Sequence, residues 1–449
     1  MKGNLSNDSV LHPAAQLIVE GIGDFYFAFN VDSPNIIVMD GIGKNFLELC
    51  NGKRKVGDIL NQLNSKYPHE VSKEELISFA ESLISNDFMC TEPTSTPKAP
   101  ERKNGRLYKL YANITHACNL KCKYCYINAG KPYKSELTEY EFVSQIKEFS
   151  RLGGKELVIT GGEPFLRKKV LRSVIKTARD LDIAKIDVET NGTLVDEKDA
   201  RFCSQNNVRV CVGFGGASRE THLIVRGGEF ADVIRGTKNL ISAGVDTAVG
   251  MTITRANVHE AEDFLKLAKK LGARAITLNI ITMIGRARSH PELDFSLDKA
   301  IPLIQNVIKK GPKLGVETAF ERVVMDVKQL PTRNLCGVGI GVLSIAANGD
   351  VYPCNSFQET PFRAGNVRKK SLEEIWRESE VLKMFRSLEI SDIPKCRDCE
   401  WRYVCSGGCI AQTYHAFGTI KKCSPHCSYY KKVYWALMMR LARKLWNEI

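Results

Sequence analysis

At 449 residues, 43% of them hydrophobic and 26% charged, the chain is long enough for about three domains, each with a core of ordinary size. It opens on the polar stretch MKGNLSNDSV, which lacks the apolar core of a signal peptide, and it has no run of eighteen apolar residues, so neither export nor a membrane span is expected and the setting is read as cytoplasmic. The net charge of +13 suits nucleic acid, an acidic peptide or an anionic metabolite, but the basic residues are spread along the chain and fit a Lys-rich soluble surface equally well.

Residues 1–92 read as one small domain. Three β-rich runs, QLIVE, DFYFAFN and NIIVMD, are separated by the turn signals GIG and VDSPN. GIGKNFLELCNG, KVGDILNQLNSKY and SKEELISFAESLISNDFM then carry helical apolar spacing, the last opened by Ser72 and Glu75 at capping-box separation. Three strands followed by three helices predict a winged-helix-like unit. The acidic stretches VSKEEL and DFMCTEP, and the lack of an Arg-rich recognition helix, argue against DNA as its partner. A linker rich in Pro, Thr and charge is expected over 93–106.

From 107 to 320 strand and helix patterns alternate. LYANI, ELVITGGEP, KIDVETNG, RVCVGFGGAS, DTAVGMTIT and AITLNII read as strands, with helical runs such as TEYEFVSQIKEFSRLGG and KKVLRSVIKTARDLDI between them. This order predicts an α/β fold of βα units around a mainly parallel sheet, with ligands at the carboxyl ends of the strands. The cysteine loop after LYANI, TGGEP, ETNG and GRA all fall at such ends. Residues 321–449 have a different texture. GVLSIAANGDVYPC is strand-like around an Asn-Gly-Asp turn, SLEEIWRESEVLKMFRS is helical, and a cysteine-dense segment precedes the closing amphipathic helix VYWALMMRLARKLW.

Ten of the 15 cysteines fall into two groups. Cys50, Cys90, Cys203, Cys211 and Cys423 stand apart and are expected to be buried, inert thiols. Without an export signal, metal binding is a better use of the groups than a disulfide framework. The first group, HACNLKCKYCYINAG, spaces Cys118, Cys122 and Cys125 as C-x3-C-x2-C. A structural zinc site takes four protein ligands, and no fourth lies nearby. Three thiolates on a four-iron cluster would leave one iron for a ligand from outside the protein.

CNLKCKYCY, with Tyr124 before its third cysteine, resembles the signature of the radical S-adenosylmethionine (SAM) enzymes. The resemblance implies a partial (β/α)6 barrel and a 4Fe–4S cluster on Cys118, Cys122 and Cys125. SAM would chelate the free iron, and one electron would release methionine and a 5′-deoxyadenosyl radical that abstracts hydrogen. It also implies SAM contacts from Tyr124, from Gly161, Gly162 and Glu163 in TGGEP, from Thr190 and Asn191 in ETNG, and from Arg226, whose guanidinium suits a carboxylate. GRA, at 285–287, is similar to a motif near the adenosyl end. Many relatives read S-L-D-G-A where this chain has GFGGA; Gly213 and Gly215 remove a hydroxyl that would hold SAM and leave room for a bulky substrate.

The second group, Cys336, Cys354, Cys396, Cys399, Cys405, Cys409 and Cys427, resembles the SPASM pattern of radical SAM peptide-modifying enzymes. It implies two auxiliary 4Fe–4S clusters, making three in all. Cys396, Cys399, Cys405 and Cys427 would complete one. Cys336, Cys354 and Cys409 would hold the other, with an open iron unless Cys423 or another ligand fills it. The front domain is similar to the recognition domain of maturases that act on ribosomally made peptides, and to the small chaperone of pyrroloquinoline-quinone biosynthesis. That implies a leader peptide added as a strand along NIIVMD, at Ile36, Ile37 and Val38, with the third helix as the other wall. The whole resembles a maturase of the sactipeptide or ranthipeptide type, linking a cysteine sulfur to carbon in a precursor peptide, with electrons from a low-potential donor such as flavodoxin or ferredoxin. The alternatives are another radical modification of a peptide (a carbon–carbon crosslink, epimerisation or formylglycine formation), haem-pathway chemistry, and a non-catalytic electron carrier.

Overall fold

The computed structural model of the chain describes residues 5–13, 16–33, 35–68, 70–93, 106–318 and 336–448. Nearly all of the expected linker, and the expected boundary at 320, lie outside the described residues.

The N-terminal region opens on β1 (His12–Pro13). A meander follows, of β2 (Leu17–Ile22), β3 (Phe25–Asn30) and β4 (Ile36–Met39), and then come helices α1 (Gly41–Leu49), α2 (Val56–Lys66) and α3 (Lys73–Ser85). β5 (Met89–Cys90) returns to pair with β1. Side chains fix where the helices begin: Asp40 accepts from the Gly43 N–H, and Ser72 with Glu75 forms the capping box that their spacing predicts. Alternate residues of a strand face opposite ways. Ala28, Ile37 and Met39 pack on Phe46, Leu60 and Leu83 of the helices, while Phe25, Phe27, Phe29, Ile36 and Val38 form the second face.

The barrel region places β6 (Lys109–Asn113), β7 (Glu156–Thr160), β8 (Lys185–Thr190), β9 (Arg209–Phe214), β10 (Thr247–Ile253) and β11 (Ala275–Ile280) side by side, all parallel. Helices α4 (Glu139–Arg151), α5 (Lys168–Asp180), α6 (Glu197–Gln205), α7 (Arg219–Val225), α8 (Phe230–Ser242) and α9 (Ala261–Leu271) connect them, and α10 (Ile301–Lys310) follows β11. Each strand expected from the sequence is present. β12 (Glu317–Thr318) adds beyond β11, and β13 (Val342–Ile345) pairs in parallel with β6 on the far side, followed by antiparallel β14 (Asp350–Tyr352) and β15 (Gly365–Asn366). The third region therefore shares the barrel's sheet, which apolar patterning could not reveal because it shows that a strand is buried but not what it pairs with.

Later helices among the described residues include α11 (Leu372–Glu378), α12 (Glu380–Ser387), α13 (Ile410–Phe417) and α14 (Cys427–Trp446), with two single-turn helices at Pro394–Arg397 and Arg402–Cys405 between α12 and α13. One face of α14 joins the barrel core through Tyr429, Val433 and Leu437. Another face covers the second face of the N-terminal sheet. Phe25 stacks on Trp446 at 5.0 Å, Phe27 meets Trp435 at 5.8 Å and Phe29 stacks on Trp401 at 5.4 Å. A half-dozen aromatic rings of this size bury enough apolar surface to hold the two regions together, and Arg402 adds a buried ion pair to Asp32. No helix among the described residues is long and apolar enough to cross a membrane.

Candidate active site

The carboxyl ends of the barrel strands surround a cavity of about 510 Å³. Cys118, Cys122 and Cys125 line it, together with Tyr124, Gly161, Gly162, Thr190, Asn191 and Arg226. So do Tyr111 and Asn355, which belong to none of the motifs, Tyr126 and Glu189, which end CNLKCKYCY and begin ETNG without an assigned contact, and Cys211, which faces the cavity instead of lying inert in the core. Of the other separate thiols, Cys50 and Cys203 are core residues, each 1% exposed.

The motifs brace the cysteine loop more than they reach into the cavity. Gly162 N–H donates to Thr115 O and Glu163 N–H to Ala117 O, both at 2.8 Å. A Cβ on Gly161 would lie 2.3 Å from Thr115 O, and one on Gly162 would lie 2.1 Å from Ala117 O. The two glycines thus let the end of β7 lie flat on the loop's backbone. The N–H groups of Gly162 and Glu163 are taken up by the loop, so carbonyl oxygens are what this part of the turn offers an ammonium group.

Glu163, expected as a SAM contact, is instead fully buried and absent from the cavity wall. Its carboxylate accepts from Thr190 Oγ1 at 2.7 Å, Asn191 N at 2.7 Å and Phe165 N at 3.0 Å. Burial raises its pKa, and these hydrogen bonds oppose the rise. Glu163 therefore pins the end of β8 to the end of β7. Asn191 continues the brace, donating from Nδ2 to Asn119 Oδ1 beside Cys118 at 2.9 Å.

GRA acts on the same loop. Arg286 donates to Cys122 O at 2.8 Å and Ala129 O at 2.6 Å, and its own N–H donates to Cys125 O at 2.9 Å. Gly285 has φ +54°, and a Cβ there would meet Cys125 O at 2.4 Å. Glu136, which carried no sequence signal, accepts from Thr115 Oγ1, His116 N and Tyr133 N and pairs with Arg167 at 3.4 Å.

GFGGA turns out to make room for Arg226. A Cβ on Gly213 would stand 2.1 Å from Arg226 Nη1, and one on Gly215 would stand 3.1 Å from Arg226 Cγ. The space read as a substrate allowance is occupied by the guanidinium. Glu260 steadies the turn, accepting from Ala217 N, Ser218 Oγ and Thr221 Oγ1, each at 2.7 Å. Burial works against the charge of Arg226, but Tyr124 and the thiols of Cys122 and Cys118 hold its pKa above the ordinary value.

These residues fit SAM and a thiolate-held cluster. Arg226 Nε is buried without a hydrogen-bond partner, an N–H that a carboxylate would satisfy. Burial lifts the Cys118 thiol to about 11 and also raises Cys125, so metal binding would have to displace their protons. Among the described residues no three His, Cys, Asp or Glu side chains converge as a single bound ion requires; a four-iron cube spreads its thiolates more widely.

The later cysteines form two gatherings. Cys354 lies with Cys409 and Cys336, the charges that act on it most after burial. Cys396, Cys399, Cys405 and Cys427 line a separate small pocket beside Trp401 and Arg402, and Cys423 lines that pocket too. Cys423 is thus placed with the second gathering.

At the N-terminal sheet, Asn30 N–H donates to Asn35 O at 3.0 Å, which sets the phase of the β3–β4 ladder. Bonded and non-bonded pairs alternate in an antiparallel ladder. Ile37 and Met39 therefore bond inward to Ala28 and Tyr26, and the N–H and C=O groups of Ile36 and Val38 point outward from an edge that no described strand covers. The side chains of Ile36 and Val38 pack toward α14.

Comparison with known proteins agrees with this geometry. Residues 112–268 match the Radical SAM superfamily, residues 336–400 match SPASM, an iron-sulfur cluster-binding domain, and residues 26–88 match PqqD, coenzyme PQQ synthesis protein D. An AdoMet-dependent heme synthase of Oleidesulfovibrio alaskensis is 31% identical over 343 residues, which span 70% of this chain and 86% of that protein. The chain belongs to the radical SAM superfamily. This radical SAM protein is also 29% identical to mycofactocin maturase MftC of Mycobacterium ulcerans over 324 residues, 70% of this chain and 86% of that one. Its fold is that of Streptococcus suis SuiB bound to precursor peptide SuiA, with a TM-score of 0.59 at 14% identity over 90% of this chain and 98% of the other. Membership in the radical SAM superfamily brings SAM and cysteine-held 4Fe–4S chemistry to the chain.

Proposed function

We propose that this radical SAM protein modifies a ribosomally made precursor peptide. Residues 1–92 would bind the leader, 107–320 would hold SAM and its cluster, and 321–449 would hold the auxiliary clusters. The observation that carries this reading is the edge of β4 that no described strand covers, within the region matching PqqD, whose second face packs on the cysteine-bearing C-terminal region. An extended leader would pair with the outward groups of Ile36 and Val38. The MftC and SuiB likenesses support a peptide substrate.

Cys118, Cys122 and Cys125 would hold the SAM cluster, Cys396, Cys399, Cys405 and Cys427 one auxiliary cluster, and Cys336, Cys354 and Cys409 the other. When bound, SAM and its cluster supply abstraction of a hydrogen atom from the substrate. Arg226 would hold SAM's carboxylate, with Tyr124, Thr190 and Asn191 around it. The finer reading is a thioether between a precursor cysteine and a carbon of another residue. It is supported by the three-cysteine gathering, to which Cys423 does not belong. A low-potential flavodoxin or ferredoxin would serve as donor in a cytoplasmic setting.

The test is to incubate the anaerobically reconstituted enzyme, SAM and reductant with the peptide encoded by the neighbouring small open reading frame. Loss of two hydrogens per crosslink, with fragmentation blocked between a cysteine and its partner, supports the thioether. The same loss without cysteine involvement moves the reading to carbon–carbon bonds. The identity to heme synthase favours a second reading, haem-pathway chemistry. An unmodified peptide together with turnover of a haem precursor would establish that instead.

A further inference from the structure

Beyond the groups that face SAM, the cavity has a polar wall made by Tyr111, Tyr126, Glu189 and Asn355. Among the described residues Glu189 makes no ion pair. Thr160 hydrogen-bonds to its carboxylate, and the side chain is otherwise exposed to the cavity that it lines. An ionised carboxylate only accepts hydrogen bonds, so one that lines a ligand cavity offers a place for an N–H donor of whatever binds there.

Tyr126 is oriented by a chain of amides. Asn355 Oδ1 accepts from Asn113 Nδ2 at 2.9 Å, Ser344 Oγ at 3.1 Å and Gln358 Nε2 at 2.6 Å. Asn113, Ser344 and Gln358 are 1%, 0% and 7% exposed. Three donors on one oxygen settle which end of the amide is which. Asn355 Nδ2 is therefore turned to Tyr126 and donates to its hydroxyl oxygen. With that N–H on its oxygen, the Tyr126 O–H remains available to donate elsewhere, and Tyr126 lines the cavity.

We propose that Glu189 and Tyr126 form a substrate subsite that holds one peptide unit, its carbonyl accepting from Tyr126 O–H and its N–H donating to Glu189. Asn355 is a positioning residue that acts through Tyr126. A simple cation would satisfy Glu189 but leave the Tyr126 proton without an acceptor, and an anion would do the reverse. A peptide unit supplies both partners on one rigid plane. The inference rests on the peptide reading above and specifies how the barrel itself would grip that peptide.

The test uses the reconstituted holoenzyme with SAM and three labelled probes in equilibrium dialysis: N-methylacetamide, a single peptide unit; methyl acetate, an ester that keeps the carbonyl but lacks the N–H; and n-butylammonium. The amide should bind about tenfold tighter than the ester, the worth of one hydrogen bond to a charged group. Glu189→Gln should shrink that ratio to roughly twofold, and Tyr126→Phe should weaken amide and ester alike by a factor of about three to ten. Equal binding of amide and ester, binding of neither, a ratio unchanged by Glu189→Gln, or binding of butylammonium alone would overturn the subsite. If Glu189→Gln fails to fold, the wild-type ratio and Tyr126→Phe decide. Modification of the precursor peptide without probe discrimination would remove this subsite and leave the peptide reading in place.

Discussion

At the barrel mouth, Glu163, Glu136, Glu260 and Arg286 each tie separate segments together through short hydrogen bonds. At the edge of β4, only the main-chain groups of Ile36 and Val38 face outward. The first region fixes a small, invariant ligand and needs particular side chains at particular spacings. The second would accept an extended chain, and main-chain hydrogen bonds make little demand on side-chain identity. Damage should therefore spread differently. At the barrel mouth one altered side chain loosens several segments, whereas at the sheet edge only a change to the backbone should matter.

The largest expected effect tests the barrel side. Replacing Cys118, Cys122 and Cys125 with Ala should remove about four irons from a total of about twelve and abolish reductive SAM cleavage. Iron analysis and quantification of 5′-deoxyadenosine check this. Cleavage that survives in the triple variant would overturn the assignment of that loop.

Next come changes that spare the thiols and cut the braces. Glu163→Gln places an N–H group among donors and leaves buried hydrogen bonds unmade, at about 1–3 kcal/mol each. SAM affinity should fall roughly tenfold or more while iron content holds. Gly213→Ser, which restores the hydroxyl common among relatives, should also lower SAM affinity, because its Cβ would stand 2.1 Å from Arg226 Nη1. Tighter SAM binding in Gly213→Ser would mean that Arg226 is not the group that the glycines accommodate. Both are checked by titrating SAM against the reconstituted protein.

How much of this was legible in the sequence follows the same division. The barrel strands, the capping box at Ser72 and Glu75 and the cysteine spacings were readable because each rests on local periodicity or on residue types few other roles require. Glu163 was found but assigned to the ligand, since a motif marks a position as demanding without saying what it touches. Glu136 and Glu260 left no trace, because a carboxylate that accepts from backbone N–H groups far along the chain looks like any surface acid. The pairing of β13 with β6, and the stacking of Trp401, Trp435 and Trp446 on the N-terminal sheet, are long-range and leave no periodic signal.

The sheet edge is sharpened by a pair of prolines. Val38→Pro removes an outward N–H and keeps the β3–β4 ladder, so leader binding should weaken about tenfold with little loss of fold. Ile37→Pro removes an inward N–H that the ladder uses, so it should destabilise the domain by about 3 kcal/mol and affect the leader only through unfolding. Fluorescence of the interfacial tryptophans during thermal melts separates the two. Equal leader affinity in Val38→Pro and wild type would show that the peptide does not add to this edge.

The smallest effect concerns acid, and it falls on the barrel side alone. His222 lies beneath Gly215, whose N–H donates to its Nδ1 at 3.1 Å, and its Nε2 is buried without a partner. Burial, then the nearby Arg226 charge, lowers its pKa to about 4 from the ordinary 6.5. The folded chain thus keeps this ring neutral while the unfolded chain protonates it. Above pH 6.5 the difference contributes nothing; as pH falls from about 6.5 toward 4 the unfolded state gains a proton and stability drops, levelling off below 4. At pH 5.5 the loss should be about 1 kcal/mol. His222→Asn, which retains an acceptor for Gly215 N–H but does not titrate, should flatten that part of the profile. The check is denaturant unfolding of both chains at pH 7.5 and pH 5.5. The same acid sensitivity in His222→Asn as in wild type would place the titrating group elsewhere, and a larger acid effect on leader binding than on barrel unfolding would reverse the contrast between the two regions.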